Sequence, residues 1–134
     1  MGNSLQLKEE NLFLIGKVVK GKQIGRTIGF PTANLEVEVG ASLKNGVYGV
    51  YVYDQKKRYL GVMNVGKRPT FDDGEHNTYE VHILDFGEDI YQEKLRIEVK
   101  FYLRSEQKFN TLQDLVKQLH ADIFRARKQF RLQY

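Results

Sequence analysis

The clearest structural pattern of this chain lies in Lys94-Leu95-Arg96-Ile97-Glu98-Val99-Lys100-Phe101-Tyr102-Leu103. Apolar residues occupy every second position, and charged or amphipathic residues occupy the positions between them. Successive side chains of an extended backbone point to opposite faces, so this alternation indicates a β-strand with one buried and one solvated face.

Five further segments upstream show shorter β-patterns, separated by glycines and polar turns. The residue types and alternation predict strands over Phe13 to Lys20, Ala33 to Val39, Gly46 to Tyr53, Arg58 to Val65 and Thr78 to Leu84. The connections between them are mostly short, with a hairpin loop expected at residues 54–57. Short connections favour antiparallel pairing.

The C-terminal part of the chain changes to a helical period. Apolar residues recur at helical spacing in Leu115, Val116, Leu119, Ile123, Ala126 and Phe130. A helix is predicted from near Thr111 to about Arg131. Asn110 or Thr111 is the expected N-cap, and Gln113 or Asp114 is placed to hydrogen-bond back to the cap residue. Many short strands followed by one helix predict a mainly β domain, in which a small antiparallel barrel packs against a C-terminal helix.

Composition narrows the possible classes of protein. The 134 residues include no cysteine, which excludes disulfides, a thiol nucleophile and a Cys-based zinc site. No apolar run approaches the roughly 20 residues that span a bilayer, and the first ten residues are too polar for a signal peptide. We therefore expect a cytoplasmic protein without a membrane partner, with a polar tail or linker over residues 1–11 and one domain over residues 12–134.

Residues 21–34 contain a glycine-rich basic loop between the first two predicted strands and lead into the second of them. Its glycines allow backbone N–H groups to turn inward, as in a phosphate cradle, although an ordinary surface loop has a similar composition. Pro31 stiffens the chain before Thr32 and Asn34, whose neutral oxygens suit Mg²⁺ bound together with nucleotide phosphates. A turn in which these two side chains bond to their own backbone is the alternative.

Taken together, these motifs resemble the riboflavin kinase family, in particular the kinase module of bacterial bifunctional FAD synthetases. The matching segments, in order, are Gly29-Phe30-Pro31-Thr32-Ala33-Asn34, Gly46-Val47-Tyr48, Asn64 to Phe71, Tyr79 to Phe86 and Leu103 to Phe109. The resemblance covers roughly Gly16 to Arg127. It implies a six-stranded antiparallel Greek-key β-barrel with a C-terminal helix packed against it.

The same resemblance implies an activity and its partners. The γ-phosphate of Mg-ATP would pass to the ribityl 5′-hydroxyl of riboflavin, giving FMN and ADP. Thr32 and Asn34 would bind Mg²⁺ and the ATP phosphates, while Gly21 and Arg26 would belong to a flap over the nucleotide. Arg26 stands where other members of the family can carry lysine. An adenylyltransferase domain in the same parent chain is a further expectation.

Glu80 matches the catalytic carboxylate of the family. Phosphoryl transfer needs positioning and charge neutralisation, plus one group that orients the attacking hydroxyl and accepts its proton. Glu80 alternates with Tyr79 and Val81, so it is expected to face away from the core, where a solvated strand carboxylate is the alternative. His82 shares its face and is interpreted as structural or as a wall of the site.

The segment after the last strand is assigned to the flavin. By the resemblance, Arg104 and Glu106 would contact riboflavin, although an ordinary charged strand-to-helix turn would carry the same residue types. The polar stretch Asp72 to Asn77 is predicted to be a loop, either a second flap over the flavin or only a long hairpin.

Two other functions are compatible with the composition. One is a flavin-binding regulatory module without turnover. The other is a small nucleic-acid-binding barrel, which a sequence pI of about 9.2 and the eight Tyr and eight Phe permit. The aromatic strand Gly46 to Tyr53 contains no Lys or Arg, so nucleic acid is not the expected partner.

Overall fold

The computed structural model describes residues 12–19, 31–40, 42–69, 75–86 and 90–133. Within these residues the chain forms six β-strands and one α-helix. They are β1 (Leu12–Val19), β2 (Ala33–Gly40), β3 (Gly46–Tyr53), β4 (Arg58–Pro69), β5 (Glu75–Ile83), β6 (Lys94–Arg104) and α1 (Leu112–Gln133).

The strands close into a barrel in the order β1-β2-β5-β4-β3-β6, and every neighbouring pair is antiparallel. Strands β3, β4 and β5 follow one another as hairpins, and β6 then returns to lie beside β3, which is a Greek key. Closure leaves none of the six described strands with an open edge. The predicted six-stranded Greek-key barrel is confirmed.

Strand β6 contributes to two apolar clusters, one inside the barrel and one under the helix. Ile97 and Val99 lie inside the barrel, whereas Phe101 packs on the outer face against α1. The pairing with β3 slips between Gly49 and Val50, which leaves Lys100 as the extra residue of a β-bulge. The single buried face predicted for β6 is therefore wrong, because the bulge moves Phe101 to the other side.

Helix α1 covers the outer face of β4 and β6. The backbone N–H of Asp114 donates to Thr111 Oγ1 at 3.0 Å, so Thr111 is the N-cap. Phe130 packs its ring 5.0 Å from Tyr51 and 4.9 Å from Phe101, between ring centroids. Within the part of the chain that the structure describes, no helix is both long and apolar enough to cross a membrane.

The β4–β5 hairpin is longer than its sequence pattern indicates. Strand β4 continues past Val65 to Pro69, and β5 begins at Glu75, with Lys67 paired to Asn77. Backbone ladder bonds extend this ribbon beyond the region of alternating apolar residues. The loop predicted over residues 72–77 is therefore wrong for residues 75–77, while residues 70–74 lie outside the described part.

Candidate active site

Three polar residues form one row across neighbouring strands. Asn34 on β2 pairs with Glu80 on β5, and Glu80 pairs with Asn64 on β4. Side chains directly opposite in an antiparallel pair share a face, with Cβ atoms about 4.5–5.5 Å apart. This polar row therefore places the carboxylate of Glu80 between two carboxamides.

The polar row lies on the outer face of the barrel. Tyr79 and Val81, on either side of Glu80, are 8% and 0% exposed and belong to the barrel interior, whereas Glu80 itself is half-buried. The expectation that Glu80 faces away from the core is confirmed. Asn64 is on β4, one of the two strands that α1 contacts.

His82 ties the segment that carries Thr32 and Asn34 to strand β5. Its Nδ1–H donates to the carbonyl oxygen of Pro31 at 2.7 Å, and Ala33 pairs with Val81 on the same two strands. This agrees with the interpretation of His82 as structural. The bond holds the backbone next to Thr32 beside the strand that carries Glu80.

The oxygen atoms that Thr32 and Asn34 can offer to a metal ion are uncharged. Thr32 offers a hydroxyl oxygen and Asn34 a carboxamide oxygen, and both side chains are half-buried. Among the described residues, no three His, Asp or Glu side chains are grouped so that they could hold a metal ion. These two oxygens fit Mg²⁺ only when phosphate oxygens and water supply the rest of the shell.

A second carboxylate, that of Glu106, lies on the same outer face. It meets β4 at Gly66, two residues along the strand from Asn64. A Cβ added to Gly66 would lie 2.6 Å from Glu106 Oε2 and 3.3 Å from Thr78 Oγ1. Glu106 therefore rests directly on the strand backbone at Gly66. Gly66 pairs with Thr78, so it is a diagonal neighbour of Glu80, a step of about 7–8 Å.

Arg104 is held by a buried ion pair with the helix. Its Nε and Nη2 donate to the two carboxylate oxygens of Asp122 at 2.8 and 2.7 Å, and Nη1 donates to the carbonyl of Ser105 at 2.9 Å. Gln118 also donates to Asp122, whose side chain is 1% exposed. Arg104 thus anchors the start of the segment that carries Glu106.

The remaining predicted site residues, Gly21 and Arg26, lie outside the described residues, and their roles stay predictions. Sequence reasoning does not identify Asn64 as a site residue, although it lies in one of the segments that match the family. The alternation of Met63 and Val65 could have placed it on the outer face. Nothing in a single sequence fixes the register that brings it opposite Glu80.

Comparison with known proteins identifies relatives over nearly the whole chain. The family model described as "Flavokinase: Riboflavin kinase" matches residues 8–130. The RNA-binding riboflavin kinase RibR of Bacillus subtilis is 44% identical over 119 residues, which cover 89% of this chain and 51% of RibR. The bifunctional riboflavin kinase/FMN adenylyltransferase of Haemophilus influenzae is 38% identical over 133 residues, covering 96% of this chain and 43% of that protein.

A solved structure also matches. The crystal structure of riboflavin kinase from Trypanosoma brucei superposes with a TM-score of 0.62 at 26% identity, covering 96% of this chain and 83% of that one. By contrast, the chain spans about half or less of the length of the two bacterial relatives described above.

Proposed function

This chain belongs to the riboflavin kinase family, and from that premise we propose that it transfers the γ-phosphate of Mg-ATP to the ribityl 5′-hydroxyl of riboflavin, giving FMN and ADP. The observation that carries the proposal is the register of β2 and β5, which sets Asn34 directly opposite Glu80. A metal–phosphate ligand and a candidate base thereby stand side by side, as transfer to a hydroxyl requires.

Glu80 is the proposed catalytic base. A carboxylate on the rigid outer face of the barrel can accept a hydrogen bond from the ribityl hydroxyl and orient its oxygen toward the phosphate. Asn34 and Asn64 flank this carboxylate in the row without adding charge. Their carboxamides can hydrogen-bond to the Glu80 carboxylate without competing for the proton of the hydroxyl.

Thr32 and Asn34 are the proposed protein ligands of Mg²⁺. When bound, the metal would neutralise charge on the phosphate oxygens. Gly21 and Arg26 are proposed to close over the nucleotide. Arg104 and Glu106 are both proposed to bind riboflavin, and the bonds of Arg104 to Ser105 and Asp122 hold the segment that carries Glu106 against α1.

The proposal also includes a further domain in the parent chain and a cellular location. The name of the Haemophilus influenzae relative includes FMN adenylyltransferase, and a domain of that activity in the same parent chain belongs to the proposal. A cytoplasmic location, where ATP and riboflavin are both available, belongs to it as well.

The metal ligands lead to one prediction. Thr32→Ala and Asn34→Ala should each raise the Mg²⁺ concentration needed for half-maximal turnover, and excess Mg²⁺ should restore part of the lost rate. Phosphates and water can complete the shell when one protein oxygen is missing, so the loss is one of affinity. Asn110→Ala, an exposed carboxamide before α1, is the matched control. Unchanged Mg²⁺ dependence in both variants would mean that Thr32 and Asn34 do not bind the metal.

Gly66 gives a prediction about Glu106. Gly66→Ala should displace the Glu106 carboxylate and raise the KM for riboflavin as far as Glu106→Ala does. The unfolding free energy should fall by less than about 1 kcal/mol, because the atom that must move is the end of a flexible side chain.

A double variant gives the control for this pair. Adding Gly66→Ala to Glu106→Ala should raise the KM no further, because the displaced group is already gone. Additive effects of the two substitutions would mean that Gly66 acts independently of Glu106.

Calorimetry separates the proposed kinase from a nucleic-acid-binding barrel. We expect saturable binding of ADP with Mg²⁺ and, separately, of riboflavin. We also expect only weak oligonucleotide binding that disappears as salt is raised. Tight oligonucleotide binding without ADP binding would contradict the proposal. Binding of riboflavin without any turnover would instead identify a regulatory flavin-binding module.

A further inference from the structure

A surface pocket lies between the last turns of α1 and the β3–β4 hairpin, away from the polar row. Its volume is about 360 Å³, within the range of small-ligand sites. We name it the arginine pocket, after Arg58 on β4 and Arg127 and Arg131 on α1. Tyr51, Tyr59, Leu60 and Phe130 supply the rest of its lining.

The charge in the arginine pocket is unbalanced. Arg127 contacts Asp85 through both terminal nitrogens, at 3.2 and 3.3 Å, and the Asp85 side chain is 78% exposed. Among the described residues, neither Arg58 nor Arg131 has a carboxylate partner. The C-terminal end of α1 contributes roughly half a negative charge, which leaves the pocket with a clear positive excess.

The lining of the pocket is preformed. The Arg58 guanidinium carbon lies 4.1 Å from the Tyr51 ring centroid, and Phe130 packs against the same ring. Upstream of Arg58, Asp54 accepts hydrogen bonds from the backbone of Lys57 and Lys56, which fixes the hairpin and holds the pKa of Asp54 below its usual value. An anion would therefore meet guanidinium groups already in place.

The pocket and the polar row are separate. Leu60, in the pocket, and Asn64, in the row, are four residues apart on β4, about 13 Å along an extended strand. The two can therefore be tested independently, and the inference does not depend on the catalytic role proposed for Glu80.

We propose that the arginine pocket is a second, non-catalytic binding site for a phosphomonoester dianion carried on a flat ring. Planar guanidinium groups bind phosphate through paired hydrogen bonds, and the exposed guanidinium of Arg58, which lies over the buried Tyr51 ring, offers a flat face on which a ligand ring can stack. Nucleoside monophosphates and FMN share this chemistry. Riboflavin has the ring without the phosphate, so it binds this pocket only weakly.

The test follows the arginine Nε–Hε NMR signals of the ¹⁵N-labelled chain at about 150 mM salt, where weak surface attraction is screened. AMP, FMN, inorganic phosphate and riboflavin are titrated in turn. We expect AMP or FMN to shift the signals of Arg58 and Arg131 saturably, phosphate to bind more weakly, and riboflavin to leave them unchanged. The relative affinities of AMP and FMN show whether the pocket prefers a nucleoside monophosphate or FMN.

Matched variants assign the effect to the pocket. Arg58→Gln or Arg131→Gln should weaken binding about tenfold, the usual effect of losing one charge-assisted hydrogen bond. Asp85→Asn should strengthen it by releasing Arg127. Lys128→Gln removes an exposed charge from the same helix outside the pocket lining and should change the affinity less than about twofold.

Two results would overturn the proposal. One is the absence of a saturable shift for both AMP and FMN up to about 10 mM, which is weaker than any useful affinity. The other is an equal loss of binding in Lys128→Gln and Arg131→Gln, since this would indicate general attraction to a basic surface. Neither result depends on the turnover of riboflavin, so neither one tests the proposed kinase activity.

Discussion

Glu80→Gln is expected to lower the kcat for FMN formation by at least about a hundredfold, the scale of a lost general base. The carboxamide keeps the shape of the side chain but cannot accept the proton of the ribityl hydroxyl. Affinity for ADP with Mg²⁺ should stay nearly unchanged, because the residues proposed to bind the nucleotide lie on β2 and in the sequence before it, not on β5. Steady-state kinetics combined with calorimetry separate the two effects.

The matched control for this variant is Glu36→Gln, which removes an exposed carboxylate from neighbouring β2. It should keep nearly full turnover. If Glu80→Gln retained turnover within a few-fold of the unmodified chain, Glu80 would be an ordinary solvated strand residue. The proposed mechanism would then lose its base.

Arg104→Met is expected to destabilise the fold by about 3–5 kcal/mol, because it leaves the Asp122 carboxylate buried without its partner. Asp122 is 1% exposed and accepts both of its short ion-pair hydrogen bonds from Arg104. Urea unfolding should show a lower midpoint with an unchanged slope, since the surface exposed on unfolding is the same.

The double variant Arg104→Met/Asp122→Leu distinguishes a lost ion pair from a general packing defect. Removing the stranded carboxylate as well should recover most of the lost stability, because apolar replacements of a buried pair are often neutral. A double variant less stable than Arg104→Met alone would contradict this explanation. So would a single variant that loses less than about 0.5 kcal/mol, the usual range for surface substitutions.

Six strand-like segments, of which residues 94–103 alternate most clearly, followed by the helical stripe over residues 112–131, were sufficient to predict a barrel with a packed helix. The strand patterns could not show on which side of the sheet each apolar residue lies. They could not predict the bulge at Lys100, because Phe101 and Leu103 keep the apolar period although the strand changes face. The alternation of residue types along one strand shows which residues are apolar. The apolar cluster that each of them joins depends on pairing between strands that are distant in sequence.

The candidate site shows the same limit. Residue types suggested Thr32 and Asn34, and the family resemblance added Glu80, but the arrangement of these residues depends on the register of β2, β5 and β4. That register also adds Asn64 to the row. Asp122, a polar residue in an apolar helix stripe, gave no sign in the sequence that it would be buried against Arg104.

Chromatography of the flavins after incubation with riboflavin, ATP and Mg²⁺ tests the central claim most directly. The account predicts that FMN and ADP form in equal amounts, that omission of Mg²⁺ stops their formation, and that Glu80→Gln reduces it at least about a hundredfold. Riboflavin recovered unchanged, from a folded chain that binds both riboflavin and ADP with Mg²⁺, would contradict it.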